Sequence, residues 1–148
     1  MRTAVIAMLL LLSTICAGLF CGAALYINLV EHPARMSCGT ELALREFAPS
    51  YRRATVMQAS LAAGGALVGL AAAWQLADPL IGAAALLLGA VIPFTLLVIL
   101  PTNRELLNPA LDPQSRRASD LLQRWNRLHA VRTALSGIAF VVLVFRSV

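Results

Sequence analysis

Residues able to transfer protons and to carry charge recur at helical spacing near the C-terminus. Trp125, His129, Arg132 and Ser136 follow one another at intervals of four, three and four residues, which places them on one face of a helix. Imidazole titrates near neutral pH and suits proton transfer. Because a charged side chain inside an apolar segment is costly, this face is expected to have a use.

A second polar face lies near the end of the first apolar run, where Asn28 and His32 share a face and Glu31 stands beside it. Together with the C-terminal face it predicts a shared pocket. Its candidate catalytic residues are His129, His32, Arg132 and Glu31. Its candidate substrate-binding residues include Asn28, Gln58 and Asn103. Glu31 and Arg132 are expected to form an ion pair that offsets their desolvation.

Three interpretations of this polar cluster remain open. It could be a catalytic or ligand-binding pocket, or a polar clasp that holds helix ends together while arginines reach the headgroups. A metal site of His32, His129 and Glu31 is the third, but the sequence has neither His-x-x-x-His nor Glu-x-x-His spacing. No metal or other cofactor is predicted.

Composition identifies a membrane protein. Of the 148 residues, 59% are hydrophobic and only 13% charged, and the mean hydropathy is +0.79. The net charge of +5 comes from arginines at the ends of apolar runs. This placement indicates membrane topology and argues against nucleic acid as a partner.

The chain is expected to be a single four-span domain over residues 1–148, all-α, with spans at about 4–30, 54–76, 80–100 and 120–145. A short interfacial helix is predicted from Thr40 to Phe47, ended by Pro49. The fourth helix should project beyond the bilayer, and Pro93 should kink the third. The Gly18/Gly22 and Gly65/Gly69 pairs predict close helix packing or, alternatively, a dimer face.

Arginine counts predict the orientation. The two long loops hold nine arginines and the opposite side holds only Arg2 and Arg146. The long loops are therefore expected in the cytoplasm and both termini outside, in the inner membrane of a bacterium. The expected partners are the lipid bilayer and a hydrophobic small molecule, with a homo-oligomer or a larger membrane complex as further alternatives.

The same arrangement occurs twice along the chain: an apolar span, a Pro–Arg exit and an aromatic–basic return. Pro33 and Arg35 precede Tyr51-Arg-Arg53, while Pro101 and Arg104 precede Trp125-Asn-Arg127. These segments, with Gly22–Arg35, Pro49–Gln58, Pro101–Arg104 and Trp125–Thr133, resemble the DUF1772 family, which includes proteins described as anthrone oxygenases. The resemblance covers nearly the whole chain.

The resemblance implies a small four-span membrane protein, some relatives of which oxidise anthrones to anthraquinones with O2. For such chemistry His129 or His32 would act as the base, and Arg132 and Asn103 would stabilise the oxyanion. Tyr26, Phe94 and Trp125 would stack on rings. The implied substrate-binding set is Asn28, Tyr26, Arg53, Gln58, Asn103, Arg104 and Trp125. An accessory subunit of a membrane complex and a small transporter are the alternative functions.

Overall fold

The computed structural model describes residues 2–147, which form four long helical rods and no strand. The first rod is α1 (Arg2–Tyr26), a π-helical turn (Ile27–Glu31) and α2 (His32–Ser37). The second is α3 (Thr40–Leu76). The third is α4 (Pro79–Phe94), a second π-helical turn (Thr95–Ile99) and α5 (Leu100–Leu106), and the fourth is α6 (Arg116–Ser147). All four are long and apolar enough to cross a membrane, so the protein is an integral membrane four-helix bundle, as predicted.

The two π turns are matched in position. In each, a backbone N–H reaches back five residues, from His32 to Ile27 and from Leu100 to Thr95. Each turn is followed within two residues by a proline, Pro33 or Pro101. A proline has no N–H and its ring clashes with the preceding turn, and the wider π turn accommodates it without ending the helix. Thus the two Pro–Arg exits predicted as loops continue their helices.

Pro93 and Pro49 also lie inside helices. The distortion of the third rod begins at Thr95, whose hydroxyl donates to the Val91 carbonyl at 2.6 Å. The helix predicted at residues 40–47 is present, but it does not end at Pro49 because α3 continues into the second span. The carbonyl that Pro49 leaves unpaired belongs to Arg45, an exposed residue outside the predicted apolar span, where water can solvate it.

Two sharp connections separate the rods. Gly39, at φ +96°, joins α2 to α3, a conformation that glycine adopts without strain. At the other end of the bundle, Ala77 is left-handed and Asp78 caps α4 by accepting from the backbone N–H of Leu80 at 2.9 Å. We call this the hairpin end, and we call the end that carries residues 32–53 and 101–127 the loop end.

α1 and α4 each pack against both α3 and α6. Close packing depends on small residues, since a Cβ on Gly65 would lie 2.7 Å from that of Cys16, and one on Gly69 2.5 Å from the Ser13 hydroxyl. Ser13 also donates to the Gly65 carbonyl at 2.9 Å. Gly18 lies against the Phe140 ring. These glycines therefore serve packing within the bundle.

The apolar interior consists of two clusters. One, which includes Phe20, Ala62 and Leu88, fills the bundle toward the hairpin end. The other, which includes Phe47, Ile99 and Trp125, fills the loop end. Along α3 the buried Gln58 lies between Phe47 and Ala62, so a polar layer divides the two apolar clusters.

Candidate functional site: a polar layer between two cavities

Asn28 joins the first rod to α6. Its amide nitrogen donates to the backbone carbonyl and side-chain oxygen of Asn126, at 3.0 and 2.7 Å. Its amide oxygen accepts from Thr133 at 2.5 Å and lies 2.9 Å from His129 Nδ1. Since an amide oxygen only accepts, His129 must carry its proton on Nδ1, which leaves Nε2 as the lone-pair nitrogen.

The two histidines enclose an indole. Trp125 lies with its ring centroid 4.8 Å from that of His129 and 5.7 Å from that of His32. The Trp125 and Phe47 rings form a T-shaped contact, with their centroids 5.4 Å apart. His129 is 1% exposed and His32 4% exposed, so Trp125 covers both imidazoles.

Arg35 is a buried cation with two carboxylate partners. It pairs with Glu31 on its own rod and with Glu46 on α3 at 2.8 Å. Glu31 also accepts from Ser50 at 3.2 Å. The hydrogen bond to Glu31 and the ion pair with Glu46 offset the desolvation of the guanidinium, while its Nε has no hydrogen-bond partner within residues 2–147.

Arg132 has a different environment. Its terminal nitrogen donates to the Gln58 carbonyl oxygen at 2.7 Å, and its guanidinium lies 5.2 Å from the centroid of the Phe20 ring. Within residues 2–147 no carboxylate forms an ion pair with it. The predicted Glu31–Arg132 ion pair is therefore wrong, because Glu31 lies next to Arg35, which takes it as its own partner.

Two cavities meet at the Gln58–Arg132 pair. The apolar cavity, of about 90 Å³, lies between α3 and α4 and is lined mainly by Phe20, Ala59, Ala62, Val91, Ile92 and Leu96. The polar cavity, of about 30 Å³, lies toward the loop end and is lined by Arg35, Tyr51, Asn103 and Trp125 among others. Thr55, Gln58 and Arg132 line both cavities.

Several polar atoms around these cavities have no hydrogen-bond partner in the part of the chain that the structure describes. Gln58 Nε2 and Arg132 Nε are buried donors that nothing accepts from, and Asn103 Oδ1 is a buried acceptor without a donor. Such groups are costly when they stay unpaired, so a bound polar group at this layer would stabilise them.

The structure brings together part of the predicted site. Gln58, Asn103, Trp125 and Arg132 line the cavities, whereas His129 and Asn28 form a closed hydrogen-bonded clasp behind Trp125. His32 is buried against the same indole and Glu31 belongs to the Arg35 network. Neither histidine lines either cavity.

Three predicted substrate-binding residues lie elsewhere. Tyr26 and Arg53 are exposed and line an open groove between α1 and α3, together with Glu31 and Met57. Arg104 is exposed on α5. Phe94, expected to stack on a ring, packs against the apolar cluster of the loop end.

The predicted site did not include Arg35, Tyr51 and Thr55, which line the cavities, or the clasp residue Thr133. Tyr51 and Thr133 have a signal in the sequence, because Tyr51 stands seven residues before Gln58, as Trp125 does before Arg132, and Thr133 follows His129 by one helical turn. Within the described residues no three His, Cys, Asp or Glu side chains converge as a metal site would require. The set of His32, His129 and Glu31 is not brought together in that way.

The fold and the polar layer define an integral membrane four-helix bundle with an apolar cavity that ends at a half-buried arginine. A family model described as anthrone oxygenase matches residues 47–142, and the chain belongs to this family, also known as DUF1772. The matched segment contains Gln58, Asn103, Trp125 and Arg132. No curated protein and no solved structure showed significant similarity to the chain.

Proposed function

We propose that the protein is a membrane oxygenase that oxidises a lipid-soluble aromatic ketone of the anthrone class with O2. The observation that carries the proposal is Arg132, a half-buried cation that has no carboxylate partner among residues 2–147 and lies at the inner end of an apolar cavity. Its neighbour Arg35, in contrast, is paired with two carboxylates, so an arginine inside this bundle can have its charge balanced by acidic side chains. An unpaired cation next to an apolar cavity suits a flat ligand that becomes an anion.

The reaction needs few protein groups. Removal of a methylene proton gives an anion whose charge rests largely on the ketone oxygen. The ring carbon then forms a bond to O2, and protonation gives a hydroperoxide. Loss of the remaining hydrogen on that carbon with cleavage of the O–O bond yields the new carbonyl and water, so CH2 and O2 become C=O and H2O.

Arg132 Nε and Gln58 Nε2 are the donors proposed to hold the oxygen on which this negative charge develops. Both are buried and unpartnered, and they are fixed relative to each other by the hydrogen bond between the two side chains. Donors placed in advance in a water-poor site stabilise an oxyanion strongly. His129 is the proposed base from the sequence, and in this role its Nε2 needs Trp125 to move aside.

The test compares O2 consumption by wild-type protein and by Arg132→Gln and Arg132→Lys in lipid nanodiscs with anthrone, after subtraction of the uncatalysed rate. Arg132→Gln should lower kcat by about 10²- to 10³-fold, the usual effect of losing one oxyanion donor. The kcat of Arg132→Lys should lie between those of wild type and Arg132→Gln, since lysine keeps the positive charge but lacks the forked donors of the guanidinium. The matched control is Arg146→Gln, on the same helix at the hairpin end, which should keep wild-type turnover.

A folded Arg132→Gln protein that consumes O2 as fast as wild type would overturn the proposal. So would a wild-type protein that adds nothing to the uncatalysed rate. We also propose that the long loops lie in the cytoplasm of a bacterium, and that the protein's partners are the lipid bilayer and a hydrophobic small molecule.

A further inference from the structure

We infer that the ligand enters sideways from the lipid between α3 and α4, and that it binds edge-on, with its oxygen-bearing edge at Gln58 and Arg132 and its far rings still among the acyl chains. This inference rests on the proposed function for the class of ligand. It adds the route by which the ligand arrives and the part of the ligand that the protein recognises.

The apolar cavity has an outer mouth and a buried floor. Thr55 and Ala59 on α3 and Leu96 on the second π turn are exposed on the outer surface of the bundle, and Leu96 is 56% exposed. On the floor, Gln58 is 2% exposed and Val91 1% exposed. The cavity therefore connects an outward-facing surface to a buried polar side chain without crossing the loop end.

The mouth lies within the membrane spans. Thr55 is only about one helical turn from Arg52 and Arg53, which are exposed and suited to the headgroup region. The mouth thus lies just below the headgroups, the depth at which flat aromatic molecules with one polar edge accumulate. A ligand at this depth already has its ring plane in lipid and its oxygen within reach of the opening.

Cavity size decides how much of the ligand is inside. An engineered cavity of about 150 Å³ holds a single benzene molecule. The apolar cavity, at about 90 Å³, is smaller and cannot enclose a three-ring ligand. The leading edge can enter and reach the unpartnered donor of Gln58, while the other rings remain in the mouth beside Leu96.

A route from the loop end is less suitable. The polar cavity, at about 30 Å³, is walled by Tyr51, Trp125, Asn103 and Arg35, and it has room for about one water molecule. It has no space for an aromatic ring. The polar cavity suits small polar molecules such as water, which would reach Gln58 and Arg132 from the loop end.

The experiment narrows and widens the mouth and measures binding apart from turnover. Ala59→Phe fills the mouth, Leu96→Ala opens it, and Ala71→Phe is the matched control, an exposed alanine on the same helix away from the cavity. The probe is 1,8-dihydroxyanthraquinone in nanodiscs, followed by quenching of Trp125 fluorescence in a Trp74→Phe background. Trp74 is 88% exposed and absent from both cavities.

Ala59→Phe should weaken probe binding at least tenfold. Leu96→Ala should leave the affinity for the probe unchanged, with an equal or faster rate of binding, and Ala71→Phe should bind the probe as the Trp74→Phe background protein does. A sulfonated anthraquinone, which stays in water, should bind at least tenfold more weakly than the probe. Thermal melts should show Ala59→Phe folded, because Ala59 is exposed and the larger side chain occupies the open mouth without displacing buried protein atoms. If Ala59→Phe melts early, Ala59→Leu replaces it and should weaken binding in proportion to its smaller size.

Wild-type-like binding by folded Ala59→Phe, or equal binding of the sulfonated compound, would overturn sideways access. These outcomes are separate from failure of the proposed function. If the wild-type protein oxidises anthrone but Ala59→Phe binds the probe as wild type does, the proposed function stands and sideways entry is contradicted. If Ala59→Phe weakens probe binding but the wild-type protein consumes no O2, sideways entry stands and the proposed function is contradicted.

Discussion

At the scale of single residues, the difference between Arg35 and Arg132 is the main feature of the molecule. Both are guanidinium groups in the bundle interior, but Arg35 has Glu31 and Glu46 while Arg132 has only the neutral Gln58. A buried ion pair is satisfied and gives little net attraction to a ligand. Arg132, which has no counter-ion within residues 2–147, is therefore the group proposed to select an anionic oxygen.

His129 allows a sharp separation of base from clasp. His129→Asn keeps a donor close to the position of Nδ1, so its hydrogen bond to Asn28 can persist, but no basic nitrogen remains. If His129 is the base, His129→Asn should lose kcat by about 10²-fold or more with little change in melting temperature.

The comparison variant is His129→Ala, which removes both the ring and the hydrogen bond. It leaves the Asn28 oxygen with one donor fewer and should lower the free energy of unfolding by about 1–3 kcal/mol. Turnover of the His129→Asn protein at the wild-type rate would assign His129 to the clasp alone. Oxygen consumption and thermal melts on the same samples provide both readings.

Residue types and spacing were enough to find the polar layer, but not its pairing. Polar groups that face lipid are costly, so Gln58, His129 and Arg132, which lie in or next to apolar spans, are expected on inward faces. The Glu31–Arg132 pair failed because Arg35 follows Glu31 by four residues, on the same face of the same rod. Pairing depends on helix rotation and depth, which the sequence pattern leaves open.

At the scale of elements, the two π turns determine which side chains face the cavities. One extra residue in a turn rotates the following helix by about 100°. The rotation after the second π turn accompanies the inward position of Thr102 and Asn103, each 1% exposed, while Arg104 stays outside. Sequence analysis found the prolines but predicted exits from helices, because a proline after a π turn has the same local pattern as a proline that ends a helix.

Deletion of Leu97 tests this function of the π turn. The residue is 76% exposed and contributes no buried contact of its own. Its loss should convert the π turn to an α turn and rotate Asn103 out of the polar cavity. We expect turnover to fall by about tenfold or more, with Leu97→Ala, which keeps the residue count, close to wild type.

Wild-type turnover by the folded deletion protein would show that the π turn does not position Asn103. If the deletion lowers the yield of folded protein, the contribution of Asn103 to turnover is measured with Asn103→Leu. This variant keeps the backbone and should lose turnover to a similar extent.

The hairpin end provides a pH-dependent contact. Partial desolvation would raise the pKa of Asp78, but the hydrogen bonds from Arg146 and from the backbone N–H groups of Ile81 and Leu80 hold it below its usual value. Asp78 thus joins the start of α4 to the end of α6. A carboxylate whose pKa is lower in the folded state stabilises the protein above its unfolded pKa, near 4, and loses that effect as the pH falls further.

Asp78→Asn should therefore melt at a lower temperature than wild type at pH 7, and this difference in melting temperature should disappear as the pH falls below about 4. Thermal melts of both proteins in the same detergent between pH 7 and pH 3 measure it. A gap that is constant over this range, or that widens toward acid, would contradict the assigned ionic contact.

At the scale of the whole molecule, orientation is open to a direct test by a native thiol. Cys38 is exposed at the loop end, while Cys16 and Cys21 lie within the first span. With the long loops in the cytoplasm, a maleimide that cannot cross membranes should label inverted vesicles and leave intact spheroplasts unlabelled. Cys38→Ser is the control, and labelling of intact spheroplasts through Cys38 would reverse the orientation.

The bundle also has a consequence for charge that neither half shows alone. Tyr51 and Gln58 in the first half match Trp125 and Arg132 in the second, and the matched pair Gln58 and Arg132 touch. Two copies of one motif that meet at a shared centre cannot both be cationic there without strong repulsion. One member of the matched pair must therefore stay neutral, and if Arg132 holds the ligand oxygen, exchange of the pair, Gln58→Arg with Arg132→Gln, should move that contact from α6 to α3.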